Sequence, residues 1–117
     1  MFEIKGWKVR KNKAVIGYGI HQFGDPKLKE AFFEELFPID VMDYHVYAVE
    51  WMPGETNFYI DGKKIKKINQ APDYPMQLML GIYEVPKVEI DNSDYPKEFV
   101  VDWVKGYSFH LHQPAAQ

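Results

Sequence analysis

The chain has 117 residues, a formal net charge of −3, 46% hydrophobic residues and no cysteine. This length suits one domain that buries roughly two thirds of its unfolded surface, and without cysteine no disulfide framework supports the fold. The acidic balance does not favour a polyanionic partner, and no apolar run reaches the ~18 residues of a membrane helix.

The amino-terminal segment Met-Phe-Glu-Ile-Lys-Gly carries no basic stretch followed by an apolar core, so we expect no signal peptide. Basic residues cluster around a predicted hairpin tip at residues 11–13. A nucleic-acid site would need a wider positive face with stacking aromatics. A solvated turn is the better interpretation, and neither a nucleic-acid partner nor a membrane partner is expected.

At residues 44–52 aromatic and β-branched residues have small or charged residues between them, which predicts a strand rather than a helix. In chain order, the predicted strands cover residues 2–9, 14–23, 36–37, 44–52, 56–60, 63–69, 76–83 and 98–109. Asp25 is predicted to cap a turn that leads into an irregular or single-turn helical segment. Residues 84–96 lack a clear period and predict a long loop of the kind that often carries binding residues.

Residues 44–83 form the segment around which the rest of the chain is organised. Asp61 and Gly62 tolerate positive φ and predict a tight two-residue hairpin. Beyond this hairpin, Ile65 and Ile68 are predicted to point inward among lysines. Residues 76–83 are almost entirely apolar, which predicts a strand buried on both faces or lining a covered groove. The whole segment is therefore predicted to be an antiparallel meander.

Two glycines give the strand at residues 14–23 one face that is nearly bare of side chains. Gly17 and Gly19 alternate with Ile16, Tyr18 and Ile20. Glycine inside a strand often permits a close approach, either by an aromatic side chain from the facing sheet or by a ligand. The residues alone leave both options open.

Four stretches in order carry a family resemblance: H-V-Y-A-V-E-W-M-P-G, F-Y-I-D-G-K, Y-P-M-Q-L-M-L-G-I-Y and V-D-W-V-K-G-Y. Together they resemble the second half of glycoside hydrolase family 16, the laminarinase- and lichenase-like enzymes that cut β-1,3 and mixed-linked β-glucans. The resemblance implies an all-β fold, an antiparallel β-sandwich of the concanavalin-like jelly-roll type, truncated here. We expect one domain over residues 1–112 and a disordered tail over residues 113–117.

The resemblance also implies a catalytic residue. The family's catalytic strand carries a nucleophile glutamate, an aspartate and an acid/base glutamate on one face, and ends in Glu-x-x-Gly. Glu3 and Gly6 match that end, so Glu3 would be the acid/base, and the nucleophile would precede residue 1. The alternative is that Glu3 is one exposed charge near a terminus. His21 ends a strand where the family often carries a histidine near the cleft, although a structural role is the competing interpretation.

The other implied positions bind substrate or metal. Gly81 and Tyr83 match an Asn-x-Trp pair that faces the substrate in the family, so an aromatic platform is kept and a hydrogen-bond donor is lost. Glu84 and Trp51 complete the substrate-binding candidates, with a core position as the alternative for Trp51. Asp102 matches a position that helps to hold a structural Ca²⁺, whose other ligands would lie in the absent first half. No cofactor is required for the chemistry.

These residues support a retaining endo-β-1,3(4)-glucanase-like glycosidase that is inactive alone for want of its nucleophile. A non-catalytic carbohydrate-binding or structural β-sandwich is the alternative, and an intact small enzyme using other carboxylates is a third. The expected partner is a β-glucan. A homo-oligomer is also expected, because half a jelly roll leaves apolar strands uncovered. Family members are usually exported, whereas no signal peptide is expected here, so the sequence does not predict the cellular compartment.

Overall fold

The computed structural model describes residues 1–86 and 92–109. The predicted tail at residues 113–117 and the residues His110 and His112 lie outside the described residues. The chain folds as two compact units, residues 1–76 and residues 77–117. The expectation of a single domain over residues 1–112 stays a prediction.

The first unit begins with a three-stranded antiparallel sheet, here sheet A. Its strands are β1 (Phe2–Arg10), β2 (Lys13–Ile20) and β3 (Ala31–Phe37), in the order β1-β2-β3. The hairpin between β1 and β2 turns at Asn12, whose φ of 62° lies in the left-handed region that asparagine tolerates. Strands β1 and β2 agree with the strands predicted at residues 2–9 and 14–23. Strand β3 begins at Ala31, five residues before the strand predicted at residues 36–37, so the end of the predicted irregular or helical segment is extended instead.

The same unit contains a second antiparallel sheet, here sheet B. It consists of β4 (Tyr47–Met52), β5 (Glu55–Ile60) and β6 (Lys63–Ile68), in that order. The second hairpin turns at Asp61 and Gly62, with φ values of 50° and 78°, so the predicted two-residue turn is confirmed.

A β-bulge explains why Ile65 and Ile68, three residues apart, both reach the core. The pairing register shifts so that consecutive β5 residues oppose Lys66 and Lys64, which leaves Ile65 as an extra residue on β6. Ile68 is buried and Ile65 packs against the core. The prediction that both point inward is confirmed.

The core lies between the two sheets. Tyr18 and Ile20 from β2 pack against Phe58 and Ile68 from sheet B. The ring of Phe2 meets that of Phe58 edge-on, with centroids 5.5 Å apart. Two antiparallel sheets packed through such a core form a β-sandwich. The predicted all-β antiparallel sandwich is therefore confirmed.

The segment after β6 closes one end of this sandwich. Gln70 exchanges two hydrogen bonds with the backbone of Lys29, of 2.9 and 2.7 Å, and its carbonyl accepts from the Thr56 hydroxyl. Trp51 donates its indole N–H to the carbonyl of Pro72 at 2.8 Å. A shallow pocket of about 500 Å³ lies here and includes Lys29 and Gln70 in its lining, but not Glu3.

The second unit differs from the sequence-based expectation. Its described residues contain a short 3₁₀ helix at Asn92–Asp94 and no strand, so the strands predicted at residues 76–83 and 98–109 are wrong. Leu78 and Met79 are 69% and 71% exposed, not buried on both faces. An apolar β-prone sequence forms a strand only where a neighbouring strand pairs with it. The described residues of this unit supply no such neighbour.

One histidine ties the connection before β4 to the β5–β6 hairpin. The Nδ1 atom of His45 lies 2.7 Å from a carboxylate oxygen of Asp61, and Nε2 lies 2.7 Å from the backbone carbonyl of Asp40. Because both partners are acceptors, both ring nitrogens must donate, which requires the charged imidazolium. Burial opposes the charge, but the hydrogen bonds from Asp61 and Asp40 outweigh it, so the pKa of His45 is raised.

This arrangement predicts a pH dependence of stability. Because the folded-state pKa of His45 is raised, its contribution is complete below the unfolded value of about 6.5 and is lost as pH rises through the folded value. Urea unfolding midpoints of wild type and His45→Gln, compared between pH 5.5 and pH 8.5 (about one unit below and two above the unfolded value), should converge as pH rises. Parallel curves would contradict the assignment.

Candidate active site

The face of sheet A that points away from sheet B carries the candidate catalytic residue. Phe2 pairs with Tyr18 and both reach the core, so Glu3 and its partner Gly17 lie on the opposite, outer face. The next strand pairs Gly17 with Glu34. The outer face thus places the carboxylates of Glu3 and Glu34 on either side of a glycine.

Glu3 is accessible on this face. Its side chain is 37% exposed, and one carboxylate oxygen lies 3.7 Å from the Lys5 ammonium. Its same-face neighbours are Lys5 on β1 and Met1, which directly precedes the strand, and neither is a carboxylic acid. A retaining glycosidase needs two carboxyl groups about 5–5.5 Å apart. The part of β1 on this face therefore carries one carboxyl group, and the catalytic role of Glu3 stays a prediction.

The Lys5 ammonium has a closer partner than Glu3. It lies 2.6 Å from Glu34, and Lys8 binds the second oxygen of the same carboxylate at 2.8 Å. Hydrogen bonds from these two lysines lower the pKa of Glu34 to about 2. The hydrogen bond with Glu34 likewise raises the pKa of Lys5. Glu34 is therefore ionised throughout the neutral range.

The bare glycine strand is covered by an aromatic ring from the neighbouring strand. A Cβ atom added at Gly17 would lie 2.7 Å from the ring of Phe32. A Cβ atom at Gly19 would lie 2.1 Å from the carbonyl oxygen of Ala31, and the φ of Gly19 is +136°. Of the two options that the sequence left open, an aromatic side chain covers Gly17, but it comes from the same sheet instead of the facing one.

His21 extends this aromatic surface. Its ring stacks on Phe32 with centroids 4.2 Å apart and planes at 20°, and Phe23 lies next to it at 5.1 Å. We name Phe32, His21 and Phe23 the aromatic shelf. Phe23 is 86% exposed, so the shelf reaches solvent. Flat apolar rings of this kind can stack with a planar ligand face.

A carboxylate orients the histidine of the shelf. The Nδ1 atom of His21 contacts a carboxylate oxygen of Glu30, and the other oxygen accepts the backbone N–H of Gln22 at 2.8 Å. The Gln22 hydrogen bond, followed by the contact with His21, lowers the pKa of Glu30. His21 thus has a structural contact through one nitrogen, and its ring face contributes to the shelf. Its expected role beside a substrate cleft stays a prediction.

Trp51 lies away from this face. It pairs with Thr56, which is buried, and its indole N–H binds the carbonyl of Pro72. Tyr47 lies four residues before Trp51, on the same side of β4, and packs into the core. Trp51 therefore sits on the core-facing side of sheet B and holds the segment after β6, whereas Glu3 lies on the outer face of sheet A.

The remaining candidates belong to the second unit. Tyr83 is 81% exposed, and its ring lies over Gly81, where an added Cβ would be 3.2 Å from the phenol. Glu84 and Asp102 are also exposed. The phenol of Tyr83 is therefore open to solvent while its ring contacts Gly81. The binding roles of Gly81, Tyr83, Glu84 and Asp102 stay predictions.

Neither a metal cluster nor a membrane helix is found in the described part of the chain. Residues 1–86 and 92–109 contain no group of three or more histidine, aspartate or glutamate side chains that could hold a metal ion. Asp102 therefore has no described companions for Ca²⁺, and we derive no step through that ion. No helix among the same residues is long and apolar enough to cross a membrane.

Sequence comparison identifies the family. The model of the "Glycosyl hydrolases family 16" matches residues 17–105, more than half of the chain. This chain belongs to glycosyl hydrolase family 16. The predicted resemblance is thereby confirmed, and the β-sandwich of the first unit agrees with the concanavalin-like fold of the family.

Two curated proteins are similar to this family 16 chain over short stretches. A Crh-like protein of Arthroderma benhamiae is 34% identical over 50 residues, which cover 38% of the chain and 11% of that protein. A beta-glucanase of Acetivibrio thermocellus is 34% identical over 50 residues, covering 42% of the chain and 14% of that protein. The match thus spans only a small part of each relative. No solved structure matches.

Two features of the site were missed at the sequence level. Glu34 and Phe32 were not singled out, because their importance depends on which β2 residue each one faces. Their only sequence signal is the glycine pair Gly17 and Gly19, which indicates that something bulky approaches from a neighbouring element.

Proposed function

We propose that this chain contributes the acid/base carboxyl and part of the substrate-binding face of a retaining β-glucan hydrolase. The observation that carries the proposal is the position of Glu3 on an exposed sheet face together with the aromatic shelf. Family membership and the similarity to a protein named beta-glucanase support the substrate class. β-1,3- and mixed-linked glucans are the proposed substrates.

In this proposal Glu3 acts twice. It protonates the glycosidic oxygen as the bond breaks, and it then accepts a proton from the water that releases the sugar from the nucleophile. The nucleophile is a second carboxylate facing the opposite side of the anomeric carbon. Neither Met1 nor Lys5, the same-face neighbours of Glu3, can take that part.

A non-catalytic carbohydrate-binding role is the second candidate. It is favoured by the aromatic shelf, with Phe23 open to solvent, and by the presence of one carboxylic acid on the face of β1. Tyr83 would offer a further stacking ring. In this role sugar rings would bind at the shelf without bond cleavage, because one positioned carboxyl cannot complete double displacement.

The experiment incubates the chain, alone and as part of a protein that supplies the nucleophile carboxylate, with laminarin and with lichenan and measures new reducing ends. In parallel, β-glucan oligosaccharides are titrated into labelled protein and followed by NMR. Release of sugar supports the hydrolase. Binding with shifts at His21 and Tyr83 but no release supports the carbohydrate-binding role. Neither release nor binding at millimolar oligosaccharide contradicts both.

We also propose that the chain associates with itself. Leu78, Met79, Trp103 and Val104 are among many large apolar side chains exposed in the second unit. Monomers rarely leave contiguous apolar patches open, and a two-fold contact with a second copy is the commonest way to cover them. Sedimentation equilibrium at micromolar concentration should give a dimer or larger species, and a clean 13.8 kDa monomer would contradict this.

A further inference from the structure

Lys5, on the outer face of sheet A, lies near the carboxylates of Glu3 and Glu34 but is closer to Glu34. The Lys5 ammonium donates a hydrogen bond to Glu34 at 2.6 Å, whereas Glu3 lies at 3.7 Å and receives no hydrogen bond from it. A charge-assisted hydrogen bond is roughly twice as strong as a neutral one, and the attraction between two charges weakens as their distance grows. In this structure Lys5 therefore binds Glu34 in preference to Glu3.

This arrangement matters for a carboxyl group that must carry a proton. A neighbouring ammonium favours the ionised form of a carboxylic acid, and its effect grows as the distance shortens. Lys5 has a long flexible stem, so it turns to another acceptor when its partner is removed. The nearest carboxylate that it already contacts is Glu3.

We propose that Glu34 is a positioning residue for Glu3, which holds the Lys5 ammonium away and so leaves Glu3 able to act as a proton donor. This inference rests on the acid/base role of Glu3 in the proposed function. Glu34 would act without touching substrate. Its place across β2 from Glu3, with Gly17 between them, lets Lys5 reach it over the sheet.

The charged groups that surround Glu3 are few. Along the chain they are Lys5, Lys8 and the amino-terminal ammonium of Met1. Lys8 binds the other oxygen of Glu34, and the Met1 ammonium donates to the carbonyl of Gly19. The facing part of β2 consists of uncharged residues. Beyond the end of β2, His21 is engaged by Glu30. Loss of Glu34 would thus change the surroundings of Glu3 mainly by releasing Lys5.

The test measures proton uptake by Glu3 directly, using side-chain carboxyl ¹³C NMR of the full chain across a pH series. In Glu34→Gln, the pH at which Glu3 takes up its proton should fall by roughly half a pH unit or more. In the double variant Glu34→Gln/Lys5→Met this fall should disappear. Glu34→Asp, which keeps the charge on a shorter stem, should give a smaller fall.

Two results would overturn the proposal. One is an identical titration of Glu3 in wild type, Glu34→Gln and Glu34→Asp. The other is a fall in the pH of Glu3 protonation that persists when Lys5 is also replaced. Asp73→Asn, which removes one exposed carboxylate from the segment after β6, serves as the matched control and should leave the Glu3 titration unchanged. If Glu34→Gln does not fold, Glu34→Asp alone decides, and an unchanged titration there counts against the proposal.

The titration requires no turnover, so it separates the two proposals. A protein that supplies the nucleophile, shows the shift and releases no sugar contradicts only the hydrolase assignment. A chain that releases sugar but shows no shift keeps the hydrolase assignment and removes Glu34 from it.

Discussion

In a form of the protein that supplies the nucleophile carboxylate, replacing Glu3 by glutamine should lower the rate of β-glucan hydrolysis by roughly 10²–10⁴-fold, the usual contribution of a positioned general acid/base. Glutamine keeps the size of the side chain and its place beside Gly17, but it can neither donate the proton to the leaving oxygen nor accept one from water. Because Glu3 is accessible and lies outside the core, the substitution should leave the fold intact.

Initial rates of reducing-sugar release from laminarin and lichenan provide the measurement, with unfolding midpoints recorded for each variant. Asp73→Asn is the control, since it removes one carboxylate from an exposed position and should leave the rate unchanged. Equal rates for wild type and Glu3→Gln would exclude Glu3 from the mechanism.

The local part of the fold could be predicted from the sequence. Five of the six strands follow sequence pattern and turn chemistry, which act between near neighbours in the chain, whereas β3 was predicted only at residues 36–37. Asp61 and Gly62 occupy the left-handed conformations that their residue types tolerate, and Asn12 does so at the first hairpin. Even the inward placement of both Ile65 and Ile68 was foreseen, although the bulge that permits it was not.

The errors arose where structure depends on distant partners. Residues 76–83 and 98–109 have the composition of strands, yet composition cannot tell whether a neighbouring strand is there to accept the hydrogen bonds. In the described residues of the second unit none is present, so Leu78 and Met79 face solvent. Strand pairing is a non-local property, and a single sequence expresses it only weakly.

The candidate site likewise has features that the sequence predicts and features that depend on distant partners. The role of Glu3 came from a family resemblance over the Glu-x-x-Gly segment, and its outward direction follows from alternation along β1. The contact of Phe32 with Gly17 and the competition of Glu34 for Lys5 depend on register across three strands. Register is fixed by the packed core and by turn geometry, so these partners emerge only from the folded chain.

The core contact between the two sheets should be the most sensitive point of the first unit. Phe58 is fully buried, and its ring meets Tyr18 at 5.7 Å and Phe2 at 5.5 Å, both from sheet A. Truncation to alanine removes these contacts and leaves a cavity that the rigid sheets cannot fill. We expect Phe58→Ala to lower the free energy of unfolding by about 3–5 kcal/mol.

Such a loss is a large fraction of the ~5–15 kcal/mol that stabilises an ordinary domain, so the variant should unfold at a much lower urea concentration. Equilibrium urea unfolding, followed by tryptophan fluorescence, measures the difference. Phe23→Ala is the matched control: it removes the same side chain from a position that is 86% exposed and should change stability by no more than about 0.5 kcal/mol. Equal midpoints for the two variants would mean that the sheets do not pack through Phe58, and the sandwich core would have to be reassigned.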